Sequence, residues 1–217
     1  MIEYKGDFDF KNSEVAKNFT SHIKEQLPWV DLARRYCRFL VQSIAPKNAL
    51  IYDIGSANGE NYRAFEDIIK QRKINYIELE PSQQMIDLNM NDTQKICIEA
   101  EKYKFEKFDI AICFLTFCFI APKYRKKLIK TLKKKVKEGG AIILLEKFNN
   151  NGNYRQVIST RFNMSEKILQ GAEIEDVLKK DLALNGVQIP LAHRLLPKEA
   201  KCFFKISDFE GWIYYKK

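Results

Sequence analysis

The run Ile51-Tyr52-Asp53-Ile54-Gly55-Ser56-Ala57-Asn58-Gly59 narrows the choice of fold more than any other part of the chain. An apolar strand passes straight into a turn bearing two glycines, and a helical pattern follows. Glycine has no Cβ, so such a turn lets backbone N–H groups and a helix N-terminus come close to a bound group. Asp53 lies inside the end of the strand rather than beyond the glycines, and neither GxGxxG nor GxxxxGK[ST] occurs here. The pattern therefore disfavours a nicotinamide dehydrogenase and a P-loop nucleotidase.

The surroundings of the turn alternate in period. Strand patterns run over 49–54, 75–79, 95–98, 108–115 and 141–146, and helical patterns lie between them. The unbroken apolar run Ile110-Ala111-Ile112-Cys113-Phe114-Leu115 suits a strand covered on both faces. Two helices precede this core. One spans 13–26, with Ser13 as N-cap and Val15, Ala16, Phe19 and Ile23 on one face. The other follows Pro28, with Ala33, Tyr36, Cys37, Leu40, Val41 and Ile44 inward and Arg34, Arg35 and Arg38 pointing away, and ends at Pro46. Beyond 148 the rhythm breaks into a loop, two helices over 159–185, and a strand pair over 202–206 and 211–215. The expectation is an α/β, Rossmann-like doubly wound fold with a mainly parallel seven-stranded sheet, a C-terminal antiparallel strand pair and N-terminal helices. One domain accommodates all of it: a helical cap over 1–47, a cofactor-binding core over 48–148, a helical insertion over 149–199 and the strand pair over 200–217.

Charge needs care. The formal net charge is +9, and between Ala121 and Glu138 nine basic residues face one acid (Lys123, Arg125, Lys126, Lys127, Lys130, Lys133, Lys134, Lys135 and Lys137). Yet Tyr124, Leu128, Leu132 and Val136 recur every fourth residue, which makes the segment an amphipathic helix with lysines on its solvent side, stopped at Gly139-Gly140. A solvated face is the plainer reading, and a patch for tRNA or DNA is the alternative. No stretch approaches the roughly 18 apolar residues of a membrane span, and the acidic first ten residues carry no leader, so a cytoplasmic protein is expected. Five cysteines without ligand spacing and two distant histidines predict buried, reduced thiols and no metal.

Glu80 ends the second strand, 27 positions beyond Asp53. A carboxylate there can accept hydrogen bonds from both ribose hydroxyls of a nucleoside lying across the strand tips, or can serve as a first-turn acid of the next helix. Glu101, after the third strand, is an acid that can meet an adenine amino group or stand as a solvated loop acid, and Phe114 lies where a strand end faces a substrate. The 51–59 turn resembles the first motif of class I S-adenosylmethionine-dependent methyltransferases, an acid–apolar–Gly–x–x–x–Gly loop. That resemblance implies S-adenosyl-L-methionine as cofactor, held by Asp53, Gly55, Ser56, Ala57, Gly59, Glu80, Pro81, Glu101 and Phe114. The Asn/Asp-Pro-Pro-aromatic and Pro-Cys turns of amine and C5-cytosine methyltransferases are absent after Phe114.

Along much of its length the chain also resembles the carboxy-S-adenosylmethionine synthases of tRNA wobble-uridine modification. The shared pieces are Phe8-Asp9-Phe10, Val15-Ala16, Phe19, the 52–55 turn, Pro81-Ser82, Met85-Ile86, Thr116 with Phe119, Gly139-Gly140-Ala141, Glu146-Lys147-Phe148, Phe209 and Gly211. The family holds its extra carboxylate with an arginine of a Lys-Arg pair; here the matching pair is Lys179-Lys180, so Lys180 takes that place without the bidentate fork. A family tyrosine after Pro28 is replaced by Val30, and a strand-four asparagine by Phe114. These departures put methyl transfer to a nucleic acid or small molecule first. Carboxy-S-adenosyl-L-methionine synthesis from prephenate is the alternative, and a non-catalytic binding module the second alternative. Arg155, beside Tyr154, is a candidate substrate anchor; His193 reads as a surface residue, and no catalytic base stands out. The resemblance also implies a homodimer.

Overall fold

The computed structural model describes residues 8–12, 16–17, 19–149 and 154–217. Ser13 and Val15 lie outside them. Helix α1 (Phe19–Gln26) and helix α2 (Val30–Ile44) precede strand β1 (Leu50–Ile54), helix α3 (Glu60–Arg72) and strand β2 (Asn75–Glu80). Then come α4 (Gln83–Asp87), β3 (Gln94–Cys97), β4 (Phe108–Phe114), α5 (Pro122–Lys135) and β5 (Val136–Lys147). Helices α6 (Tyr154–Leu169) and α7 (Ile174–Leu184) and strands β6 (Lys201–Ile206) and β7 (Phe209–Tyr215) complete the order.

The sheet runs β3-β2-β1-β4-β5-β7-β6. Pairings from β3 to β5 are parallel, and β7 is antiparallel to both β5 and β6, so β7 alone is reversed. The order changes direction at β1, between β2 and β4, and in such sheets ligands settle beyond the carboxyl ends of the strands at that switch point. Two apolar layers cover the faces. Val30, Ala33, Cys37 and Val41 of α2 pack with Phe65 and Ile68 of α3 on one side. Leu128, Ile129 and Leu132 of α5 pack with Tyr52, Phe105 and Phe108 on the other. β1 and β4 are buried throughout apart from Leu50, as their continuous apolar runs require.

Several local expectations need correction. Arg34 does not point away from the core: it lies on the buried stripe of α2, only 6% exposed, while Tyr36 is 43% exposed and packs on the Phe203 ring. Helix α5 ends at Lys135, not at Gly139-Gly140, because β5 already begins at Val136 and carries both glycines. Gly140 is required there by close approach, since a Cβ would stand 2.4 Å from the carbonyl oxygen of Asp109. Within the basic run, Arg125 is fully buried, and its guanidinium donates to the carbonyl oxygens of Cys118, Ile120 and Pro190. Cys37, Cys113 and Cys118 are buried thiols as expected, but Cys97 and Cys202 are exposed.

Candidate functional site

A cavity of about 1020 Å³ opens over the carboxyl ends of the central strands. The turn after β1 forms its floor. Gly55 and Gly59 both take the left-handed conformation, at φ +70° and +83°, and Ala57 does so at +48°. Gly55 N–H donates to the Leu79 carbonyl at 2.7 Å, which fixes the turn against β2. Thr116, after β4, presses on Gly55 so closely that a Cβ would stand 2.5 Å from its methyl group. The threonine hydroxyl in turn donates to the Ile54 carbonyl at 2.6 Å. Tip of β1, tip of β4 and turn are therefore one rigid unit.

Glu80 stands at the centre of the cavity wall. Its Oε2 accepts from Ala57 N–H and its Oε1 from Ser82 N–H, each at 2.9 Å, and burial raises its carboxyl above the ordinary range. Each oxygen keeps lone pairs for a further donor, which suits a diol. Gly55, Ser56, Ala57, Pro81, Glu101 and Phe114 also line the cavity, as does Lys180. Ser56 Oγ is buried without a hydrogen-bond partner among the described residues. A carboxylate, an unpartnered hydroxyl and a close-approach turn make a donor and acceptor set that fits a nucleoside. Cys97, exposed beside the Pro81 carbonyl, borders the same rim.

Three expected site residues lie elsewhere. Asp53 is fully buried behind the turn, where it accepts from Asn61 Nδ2 at 3.1 Å and Tyr76 OH at 2.9 Å. Burial first, and then the charge of Glu78, push its carboxyl up to about 7. Gly59 is turned toward Asn89 and Asn91, and Asn91 Nδ2 bridges the Gly59 carbonyl and Glu78. Asp53 and Gly59 thus shape the turn from below rather than line the cavity. Arg155, in the first turn of α6, is not among the lining residues either. His193 is half-exposed, its Nε2 2.9 Å from Glu210 Oε2 and its ring stacked on Phe148.

Two features were legible in the sequence only in part. The first is a row of lysines at the far end of the cavity, from Lys147 at the end of β5 through Lys167 on α6 to Lys180 on α7, the one member expected as an anchor from sequence. Burial, and then the neighbouring Lys167 charge, lower the Lys180 amine to about 7; Lys167 is lowered by burial and by Lys147. Asp181 and Asp208 offset Lys167, and Glu25 offsets Lys180. Lys167 carried no local signal, because its role needs α6 and α7 folded side by side. The second is Glu146, which is fully buried and accepts from the N–H groups of Thr116 and Phe117, and more weakly from Cys118 at 3.3 Å. It holds the 116–119 turn that forms one wall.

The fold has known counterparts. Residues 52–144 match the family model described as a methyltransferase domain. The plantazolicin methyltransferase BpumL, solved with S-adenosylhomocysteine (SAH), shares the fold at a TM-score of 0.63 and 11% identity, over 94% of this chain and 90% of that one. The fold and the matched segment are thus those of a methyltransferase domain. The chain is similar to the carboxy-S-adenosyl-L-methionine synthase of Staphylococcus epidermidis, at 29% identity over 220 residues, 95% of this chain and 96% of the relative. It is also similar to the enzyme of that name from Helicobacter hepaticus, 26% identical over 198 residues, 85% of this chain and 81% of the relative. Among the described residues, no helix is long and apolar enough to cross a membrane, and no cluster of metal-ligating side chains occurs.

Proposed function

We propose that this chain is a carboxy-S-adenosyl-L-methionine synthase, which joins a carboxylate from prephenate to the one-carbon group of S-adenosylmethionine. That group gives up a proton, and prephenate gives up its carboxylate and ring hydroxide, leaving water and an aromatic keto acid. The lysine row carries the reading. Lys167 and Lys180 face each other half-buried, an arrangement of like charges that an anion in the cavity relieves. Ordinary methyl transfer needs no such row, whereas a carboxylated product and a carboxylate donor both do. Similarity to synthases over most of the chain supports the same reading. It takes up the alternative set out from sequence, and the methyltransferase fold and matched domain continue to support the first reading. When bound, the sulfonium supplies the activated one-carbon group. The chain's residues grip its ribose (Glu80), seat it on the turn (Gly55 to Ala57) and hold the anion (Lys167 and Lys180). The alternative, methyl transfer, draws on Val30 and Phe114, apolar where the synthases carry polar groups.

Mass spectrometry of the purified protein with its bound ligand separates the two. A ligand heavier than S-adenosylmethionine by one carboxylate, formed in a reaction that consumes prephenate, is the expected result. Plain S-adenosylmethionine together with a methylated acceptor would overturn the proposal. Because an ammonium holds the anion, donor binding should weaken as pH rises through about 7 in the wild type. Lys180→Ala should abolish that dependence and cut turnover at low donor concentration, and Lys180→Arg should restore turnover. A pH profile indifferent to Lys180→Ala would count against the role.

The reading includes a cytoplasmic homodimer whose product serves the modification of tRNA, with the lysine face of α5 as solvated surface. Exposed apolar side chains on α6 and α7 (Phe162, Leu169, Ile174, Leu178 and Leu182) support an interface between copies. Light scattering should give twice the 25.5 kDa chain mass; a monomer at micromolar concentration would refute it.

A further inference from the structure

Arg34 is the α2 residue that sequence periodicity placed in solvent and the fold buries. Its side chain is 7% exposed and lines the cavity. Nε donates to Asn61 Oδ1 at 3.3 Å, Nη1 donates to Asp31 Oδ1 at 2.9 Å, and the guanidinium carbon lies 5.2 Å from the Phe114 ring centroid. Nη2 has no hydrogen-bond partner among the described residues. The acids around this cation are few and occupied. Asp31 is half-exposed and also pairs with Lys24 at 3.2 Å, Glu60 is taken by Arg63 and Thr20, and Asp53 is held by Asn61 and Tyr76. A buried guanidinium whose one direct salt bridge is to a half-exposed acid, with Asp53 and Glu60 reaching it through charge alone, stays open to a further close anion, because a charge removed from water needs such a partner.

The strand order says which anion completes it. Glu80 marks the tip of β2, the glycine turn follows β1, and Phe114 marks the tip of β4. Two inter-strand steps of about 4.8 Å therefore separate the ribose grip from Arg34, roughly the span from a ribose to the far end of an amino-acid tail. The lysine row belongs to the opposite end, beyond β5 and under α6 and α7.

We infer that Arg34 anchors the α-carboxylate of the amino-acid tail of an S-adenosyl ligand and so sets the cavity's preference for amino-acid-bearing nucleosides, an inference that rests on the site reading above. A guanidinium fork suits this task because it meets a carboxylate with fixed donors, and Asn61 and the Phe114 ring hold it in orientation. The lysine row is thereby left for the second anion.

Calorimetry with two ligands tests the assignment: SAH, and its analogue lacking only the α-carboxylate. Wild type should prefer SAH by about ten- to a hundredfold. Arg34→Gln should lose that preference through weaker SAH binding while its affinity for the analogue stays within about twofold, and Arg34→Lys should recover part of it. Equal wild-type affinity for the two ligands, or an equal loss of both in Arg34→Gln, overturns the inference. Should Arg34→Gln fail to fold, the wild-type ratio and the Arg34→Lys variant decide it. Failure of wild type to bind either ligand would instead defeat the reading of the site itself.

Discussion

Replacing Glu146 by alanine should destabilise the protein by about 3–5 kcal/mol, lowering the melting temperature by on the order of 10 °C. The carboxylate is completely buried and is the acceptor for Thr116, Phe117 and Cys118 N–H groups. Alanine leaves these donors without a partner at a place where little water can enter, and each orphaned buried donor costs about 1–3 kcal/mol. The effect should reach the cavity as well, because Thr116 bonds the end of β1 and presses on Gly55. Urea denaturation measures the first consequence, and calorimetry with SAH at low temperature the second. A variant within about 1 kcal/mol of wild type would show that the 116–119 turn is held by something other than this carboxylate.

Glu80→Ala should weaken SAH binding by roughly tenfold to a hundredfold, or about 1–3 kcal/mol, with a much smaller change in stability. The carboxylate is positioned by two backbone donors from either side of β2, and this presents its remaining lone pairs to the cavity. Burial raises its pKa but leaves those donors holding the charged form. Glu80→Gln keeps the size and loses the double acceptor, so it should fall between alanine and wild type. Calorimetry on the three proteins checks the order. Unchanged affinity in Glu80→Ala would remove the ribose grip from the site and leave the glycine turn as its one landmark.

These effects sit unequally in the sequence. The turn, Glu80 and the five parallel strands were readable because each depends on neighbours a few residues away: glycines at left-handed positions, apolar runs, an acid at a strand end. Arg34 was misread because helix periodicity assigns a basic residue to solvent, although Val30, Arg34, Cys37 and Val41 share one stripe at helical spacing. Arg125 repeats the lesson, aligned with Leu128, Ile129 and Leu132. A cation on an apolar stripe was the available signal in both cases, and what accepts its hydrogen bonds comes from distant segments. Gly139-Gly140 looked like a helix stop because glycine serves both helix ends and strands crowded by a neighbouring backbone. The lysine row depends on α6 meeting α7 and β5, which no local pattern encodes.

The thiol at the rim has a practical consequence. Cys37, Cys113 and Cys118 are sealed in the interior, with burial holding all three well toward the protonated form. With Cys202 changed to serine, Cys97 is the one exposed thiol left among the described residues, attached to the strand end that neighbours Pro81. An environment-sensitive dye coupled there would sit at the doorway of the crevice, turning the protein into its own optical gauge of occupancy.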